Sequence, residues 1–242
     1  VRNDIRVRDC YADGNILETF SNAELDVRAC GINNCESGDS ILNSYDSTSL
    51  NALDILDCSS YAVLQMGGDY GMTNSVVADC VTDAGIFYTY NATADVAHCT
   101  FTGNGSMGTA WGNFSSSTVI RVDNSVLWGN TGETPTNYIG LVDARFDNSC
   151  IEGGWTGAGT NSVSVDPYVG GNGRLVWQGS VAIDYCTNST AAVDLDGEVR
   201  DSIPDMGAFE WFDADGDGIG DWWEVEYFGN TTSVSNSTPA PD

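Results

Sequence analysis

Lysine does not occur anywhere in this chain of 242 residues, and histidine occurs once, at His98. The basic residues are eight arginines, at positions 2, 6, 8, 28, 121, 145, 174 and 200, set against 35 acidic residues. The formal net charge of −27 excludes nucleic acid, anionic lipid and acidic polysaccharide as direct partners, because each would be repelled. It favours calcium and an extracellular or cell-surface setting. No apolar run is long enough to cross a membrane, so no membrane insertion is expected. No signal peptide stands before Val1-Arg2-Asn3-Asp4, which reads directly as strand, and a processed or truncated piece is expected. Leucine is sparse, which counts against a leucine-rich repeat.

What is present is turn chemistry and cysteine. Glycine, asparagine, serine and threonine are abundant while charged residues make up only 18%, a mix that suits a turn-rich β protein. Hydrophobic residues at 41% argue against wholesale disorder. A short motif recurs: an aliphatic residue, two more residues, then cysteine or serine. It occurs as Val7…Cys10, Val27…Cys30, Ile55…Cys58, Val77…Cys80 and Val96…Cys99, with weaker copies at Val122…Ser125 and Phe146…Ser149. Ile5, Leu25, Leu53 and Ile120 extend it with period two, the mark of a strand with one buried face.

A repeat of this length with variable glycine-rich insertions points to an all-β, right-handed parallel β-helix, a solenoid in which matching side chains stack turn upon turn. Cys10, Cys30, Cys58, Cys80 and Cys99 are expected to form one interior column. The preceding Asp9, Asp57, Asp79, Asn124 and Asn148 should form a polar ladder at a bend, with His98 as a hydrogen-bonded member. A β-sandwich explains the alternation but not the cysteine at one register. Among the eight cysteines only Cys150 with Cys186 is favoured as a disulfide. The expected divisions are 1–165 for the rungs, 166–211 for an irregular C-terminal cap, 212–229 for a cation loop with a short helix, and 230–242 for an extended tail.

The cap carries an ordered series: Asp166-Pro167-Tyr168-Val169, Ser180-Val181-Ala182-Ile183-Asp184, Asp194-Leu195-Asp196-Gly197-Glu198-Val199-Arg200 and Pro204-Asp205-Met206-Gly207-Ala208-Phe209-Glu210. This series resembles the end of bacterial secreted β-helix proteins of the choice-of-anchor group, with Val181 in place of a usual proline and Met206 in place of a usual isoleucine. The resemblance implies export and surface attachment through a variable C-terminal module, and no single activity.

The strongest chemical motif runs from Asp213 to Glu224. Carboxylates fall at loop positions 1, 3, 5, 9 and 12, as Asp213, Asp215, Asp217, Asp221 and Glu224. The Ile219 carbonyl can supply position 7, and Gly218 permits the sharp turn. This spacing wraps oxygens around one hard cation, so Ca2+ is expected, and the loop looks like those of thrombospondin type 3 or dockerin-like modules. Trp222, Trp223, Tyr227 and Phe228 are expected to pin it to the coil.

No catalytic residues emerge. Lyases of this fold need a base beside calcium, and hydrolases need paired carboxylates. The expected function is an extracellular structural or adhesive protein, stabilised by calcium and self-assembling head to tail through coil ends and tail into a homo-polymer. The alternatives are a glycan-binding module using Trp111, Trp128, Trp155 and Trp177 on surface glycans, or a polysaccharide lyase or hydrolase.

Overall fold

The computed structural model describes residues 5–18, 25–109, 112–114, 117–133, 143–189 and 191–232. The described residues form an all-β parallel solenoid, with one short helix among them near the C-terminal side, as the repeat predicted. One sheet stacks Ile5–Arg8, Leu25–Asn33, Thr48–Leu56, Tyr70–Ala78, Thr93–Thr102, Val119–Asp123 and Asp143–Asp147 in chain order. The second sheet runs through Tyr11–Ala12, Glu36–Ser37, Ser59–Met66, Val81–Thr89, Gly105–Thr109 and Thr131–Glu133. Successive strands of both sheets pair in parallel.

The cysteine column differs from the expectation. Register pairs Ile5 with Cys30, Cys30 with Leu53, and Cys99 with Ser75. Val7 pairs with Ile32 and Ile55 with Val77, so Cys10 lies above Cys35, followed by Cys58 and Cys80. The motif therefore marks two corners of every turn. One interior column is Cys30, Leu53, Ser75, Cys99, Ser125 and Ser149; the other is Cys10, Cys35, Cys58, Cys80 and Asn104.

The cause lies in the backbone. Ahead of each column sits a residue in the left-handed region: Ala29, Ala52, Asn74, His98, Asn124 and Asn148 at the first corner. Five residues later, Asn34, Asp57, Asp79, Gly103, Gly129 and Gly153 repeat the bend at the second. Such a bend favours Gly, Asn and Asp, which explains the polar ladder and splits it in two. The residue after each bend is turned inward where space is tight, and small side chains fit there.

Between corners the interior is apolar and layered. Leu50, Met72, Val96, Val122 and Phe146 form one buried column, and Ile32, Ile55, Val77, Phe101, Leu127 and Ile151 another. Phe87 sits at 6.0 Å from Tyr70 and 5.5 Å from Phe101, ring centre to ring centre. Each fully buried ring of this kind contributes about 1.5–3 kcal/mol. All eight cysteines are free thiols, and Cys150 and Cys186 share one apolar cluster with Val126, Leu175 and Met206 without a bond between them.

Residues 152–165 follow the last full turn, where Trp155 packs 4.8 Å from Phe146 and donates to the Ala158 carbonyl. The segment 166–211 then runs back along the flank of the coil, over the short strands between the two corners. Leu195, Ala208 and Phe209 cover Val76 and Ala78, while Cys186 and Met206 cover Val126 and Cys150.

Candidate metal centre and the flank clasp

The acidic loop is shaped by its own carboxylates. Asp213 Oδ1 accepts the amides of Gly216 and Asp217, and Asp213 Oδ2 accepts that of Gly218. Asp215 Oδ1 accepts from the Asp217 amide, and Asp217 Oδ1 from that of Ile219. Gly218 has φ +89°, and a side chain there would strike Gln178 of the flank segment at 2.6 Å. These turns bring one oxygen from each of Asp213, Asp215 and Asp217 within 4.8 Å of one another, the only such cluster among the described residues. Converging oxygens of this kind suit a hard cation and repel one another without one.

Asp221 and Glu224 lie outside that group of three. Asp221 Oδ1 accepts the Ala214 amide, closing the loop, and Asp221 opens the helix Asp221–Phe228. Glu224 follows in the first helical turn and is fully buried. Gly229 ends the helix at φ 76°, donating to the Val225 carbonyl. Ile219 is half-buried in the loop.

Of the four aromatics expected to pin this unit, Trp222 does so, donating from Nε1 to the Leu175 carbonyl at 3.1 Å. The Arg174 guanidinium lies 3.8 Å over the Phe209 ring and 5.6 Å from Trp222, and pairs with Asp196. Trp223 instead stacks on Tyr227 and Phe228, both of which stay exposed. Tyr227 lines a cavity shared with Arg174, Asp194 and Asp196 of the flank without closing it.

The last three of the four closing motifs build a buried clasp beside the loop. Arg200 donates from Nη1 to Glu210 Oε2 at 2.8 Å, and from Nη2 to the Gly207 carbonyl and to Asn74 Oδ1 on the coil. Glu210 also accepts the amides of Asp201 and Asp205. Asp205 accepts those of Asp184 and Trp211, and Asp194 those of Glu198 and Glu210. Burial pushes the Asp205 carboxyl up to about 7 and raises Glu210 as well, the Arg200 charge working against the latter.

The first-corner ladder holds the other side of this segment. Asn74 Nδ2 donates to the Val193 carbonyl, Asn124 Nδ2 to that of Asn188, and Asn148 Nδ2 to Asn188 Oδ1. His98 is a member of the ladder, as its position predicted: Nε2 lies 3.1 Å from Asn124 Nδ2 and 2.6 Å from Ser189 Oγ. Burial, followed by the Arg200 charge, lowers His98 to about 3, so it stays neutral. The corner asparagines thus serve as a docking strip. The sequence shows them as bend residues, but their partners lie too far along the chain for spacing to reveal.

Among the tryptophans named for glycan contact, Trp128 is half-buried against the Val126–Cys150 cluster and Trp155 packs on Phe146. Trp177 is exposed and meets Tyr168 edge to face at 4.6 Å, while Trp111 lies outside the described residues. The tail from residue 233 onward also lies outside them. No helix among the described residues is long and apolar enough to cross a membrane. No family model, no curated protein and no solved structure matches this chain.

Proposed function

We propose that this chain is a calcium-stabilised structural or adhesive β-helix of the cell exterior, with no catalytic centre of its own. The observation that carries the reading is the joint between loop and coil. Asp213, Asp215 and Asp217 converge directly against the flank segment, through Gln178 at Gly218 and Trp222 at Leu175. A cation held by these carboxylates, with the Ile219 carbonyl, Asp221 and Glu224 completing the shell, would fix the helix to the flank and the flank to the coil. The oxygen-only donor set suits Ca2+ over a soft transition metal. The resemblance of the closing motifs to the choice-of-anchor group, and of the loop to thrombospondin type 3 and dockerin-like modules, supports export and this choice of ion.

Head-to-tail assembly is part of this reading. The two end faces of a parallel coil differ, so an end-to-end contact would be heterologous and, where it does not close into a ring, would give a filament. The groups with catalytic potential have structural work: His98 ties corner to flank, and Glu210 with Asp205 closes the clasp. Negative-stain electron microscopy with and without calcium tests the reading. Filaments that need calcium support it, and monodisperse single particles at every calcium concentration overturn the assembly. Reducing-sugar or unsaturated-uronate release from a panel of polysaccharides would replace it with the enzymatic alternative.

A further inference from the structure

An aromatic surface made of tyrosine lies on the outer face of the second sheet. Tyr61 and Tyr88 meet edge to face at 5.3 Å, and Tyr88 and Tyr90 do the same at 4.7 Å. Tyr45 joins them from the turn before. The Gly67 amide donates to the Ser44 carbonyl and the Tyr90 amide to that of Met66, which puts Tyr45, Gly67 and Tyr90 in one column. The Tyr45 ring lies over Gly67, 2.7 Å from where a Cβ would stand, so only glycine allows it to lie flat there. Gln65 sits among the rings, its Nε2 amide donating to the Tyr45 hydroxyl at 3.4 Å. Tyr45, Tyr61 and Tyr90 are 54%, 37% and 39% exposed, values too high for rings that serve only to fill the core.

This platform runs into a groove of about 470 Å³ at Tyr61, whose walls include Glu36, Asp39, Ser60, Val81 and Asp83. Exposed tyrosine rings, Tyr45 over Gly67 and Tyr61 and Tyr90 set edge to face against Tyr88, with an amide between them and carboxylates alongside, form a chemistry that recognises sugars. The rings accept the apolar faces of the saccharide, and the amide and carboxylates accept its hydroxyls. A protein partner is less well served, since the groove is lined mainly by polar and acidic residues and gives an apolar anchoring side chain little to bury against. The net charge of −27 and the groove acids repel anionic chains.

We propose that Tyr45, Tyr61, Tyr88 and Tyr90, with the groove beside Tyr61, bind a neutral polysaccharide. The inference rests on the adhesive reading above and gives it a ligand class. The test is affinity electrophoresis of the full chain through gels holding a soluble β-glucan, xyloglucan, galactomannan, alginate or poly-lysine. At least one neutral polysaccharide is expected to retard the protein, and alginate is not. Tyr61→Ala and Tyr90→Ala should each weaken that binding roughly threefold to tenfold. Tyr61→Phe keeps the ring and should retain most of it, and Tyr168→Ala, exposed on the flank, should leave it unchanged. Thermal melts of the variants confirm that they fold. The proposal is overturned if no neutral polysaccharide retards the protein, if the Tyr61→Ala/Tyr90→Ala double variant is retarded as before, or if poly-lysine alone binds and the variants abolish it. Calcium-dependent filaments would survive any of these results, so the two readings fail separately.

Discussion

At the first corner of each turn the backbone needs a residue that accepts a left-handed bend, and the coil answers with Asn in its later turns but Ala at positions 29 and 52. Alanine there carries a steric cost of about 1–2 kcal/mol that asparagine largely avoids. Ala29→Asn should therefore raise stability by about 0.5–1 kcal/mol, read as an upward shift in the urea midpoint. His98 gives the same corner a pH response. Its folded pKa of about 3 lies below the unfolded value of 6.5, so its contribution is complete above pH 6.5 and declines as pH falls toward 3. At pH 4.5 the loss from this group is about 2.5 kcal/mol. Asp205 works in the opposite sense: raised to about 7 from 3.8, it favours the fold fully below pH 3.8, and that contribution declines as pH rises from there to 7. His98→Asn, which installs the residue of Asn124 and Asn148, should keep the fold and remove the histidine part of the acid limb. Stability curves of both proteins between pH 4 and 8 check this, and parallel curves would refute it.

Among the elements, the flank segment depends most on one side chain. Arg200 is 1% exposed in its ion pair with Glu210, which is 2% exposed, and it also reaches Asn74 on the coil. Arg200→Met leaves the Glu210 carboxylate buried without its cation, and the expected cost is about 3–5 kcal/mol. Hydrogen exchange should show residues 166–211 losing protection before the coil does. Unchanged protection there would contradict the clasp. This level also shows where the sequence was legible. The aliphatic-x-x-Cys spacing revealed the coil because every corner demands the same bend and a compact inward residue. It misassigned the columns because Leu53, Ser75, Cys35 and Asn104 meet that demand as well as the motif cysteines, so two corners five residues apart looked like one irregular period. The acidic loop was legible because its geometry is local. The clasp was not, since Arg200 and Asn74 stand 126 residues apart and Asn124 and Asn188 stand 64.

For the molecule as a whole, the acidic loop joins the helix to the flank, so calcium should act on global stability. Adding a chelator is expected to lower the melting temperature, and Asp213→Asn combined with Asp217→Asn should remove the calcium response. A cation at 100 times its dissociation constant stabilises by about 2.7 kcal/mol, enough for a shift of several degrees. Identical melts with calcium and with chelator would exclude a structural ion.

The flank segment is tied to Asn74, His98, Asn124 and Asn148, one residue from each of four successive turns. It therefore works as a tally. A coil shortened by one turn could restack its own columns, since neighbouring turns share their corners, yet it would present three pegs to a strap cut for four. The spacing of these four turns is thus held from outside the coil as well as from within, by a strap that grips each of them.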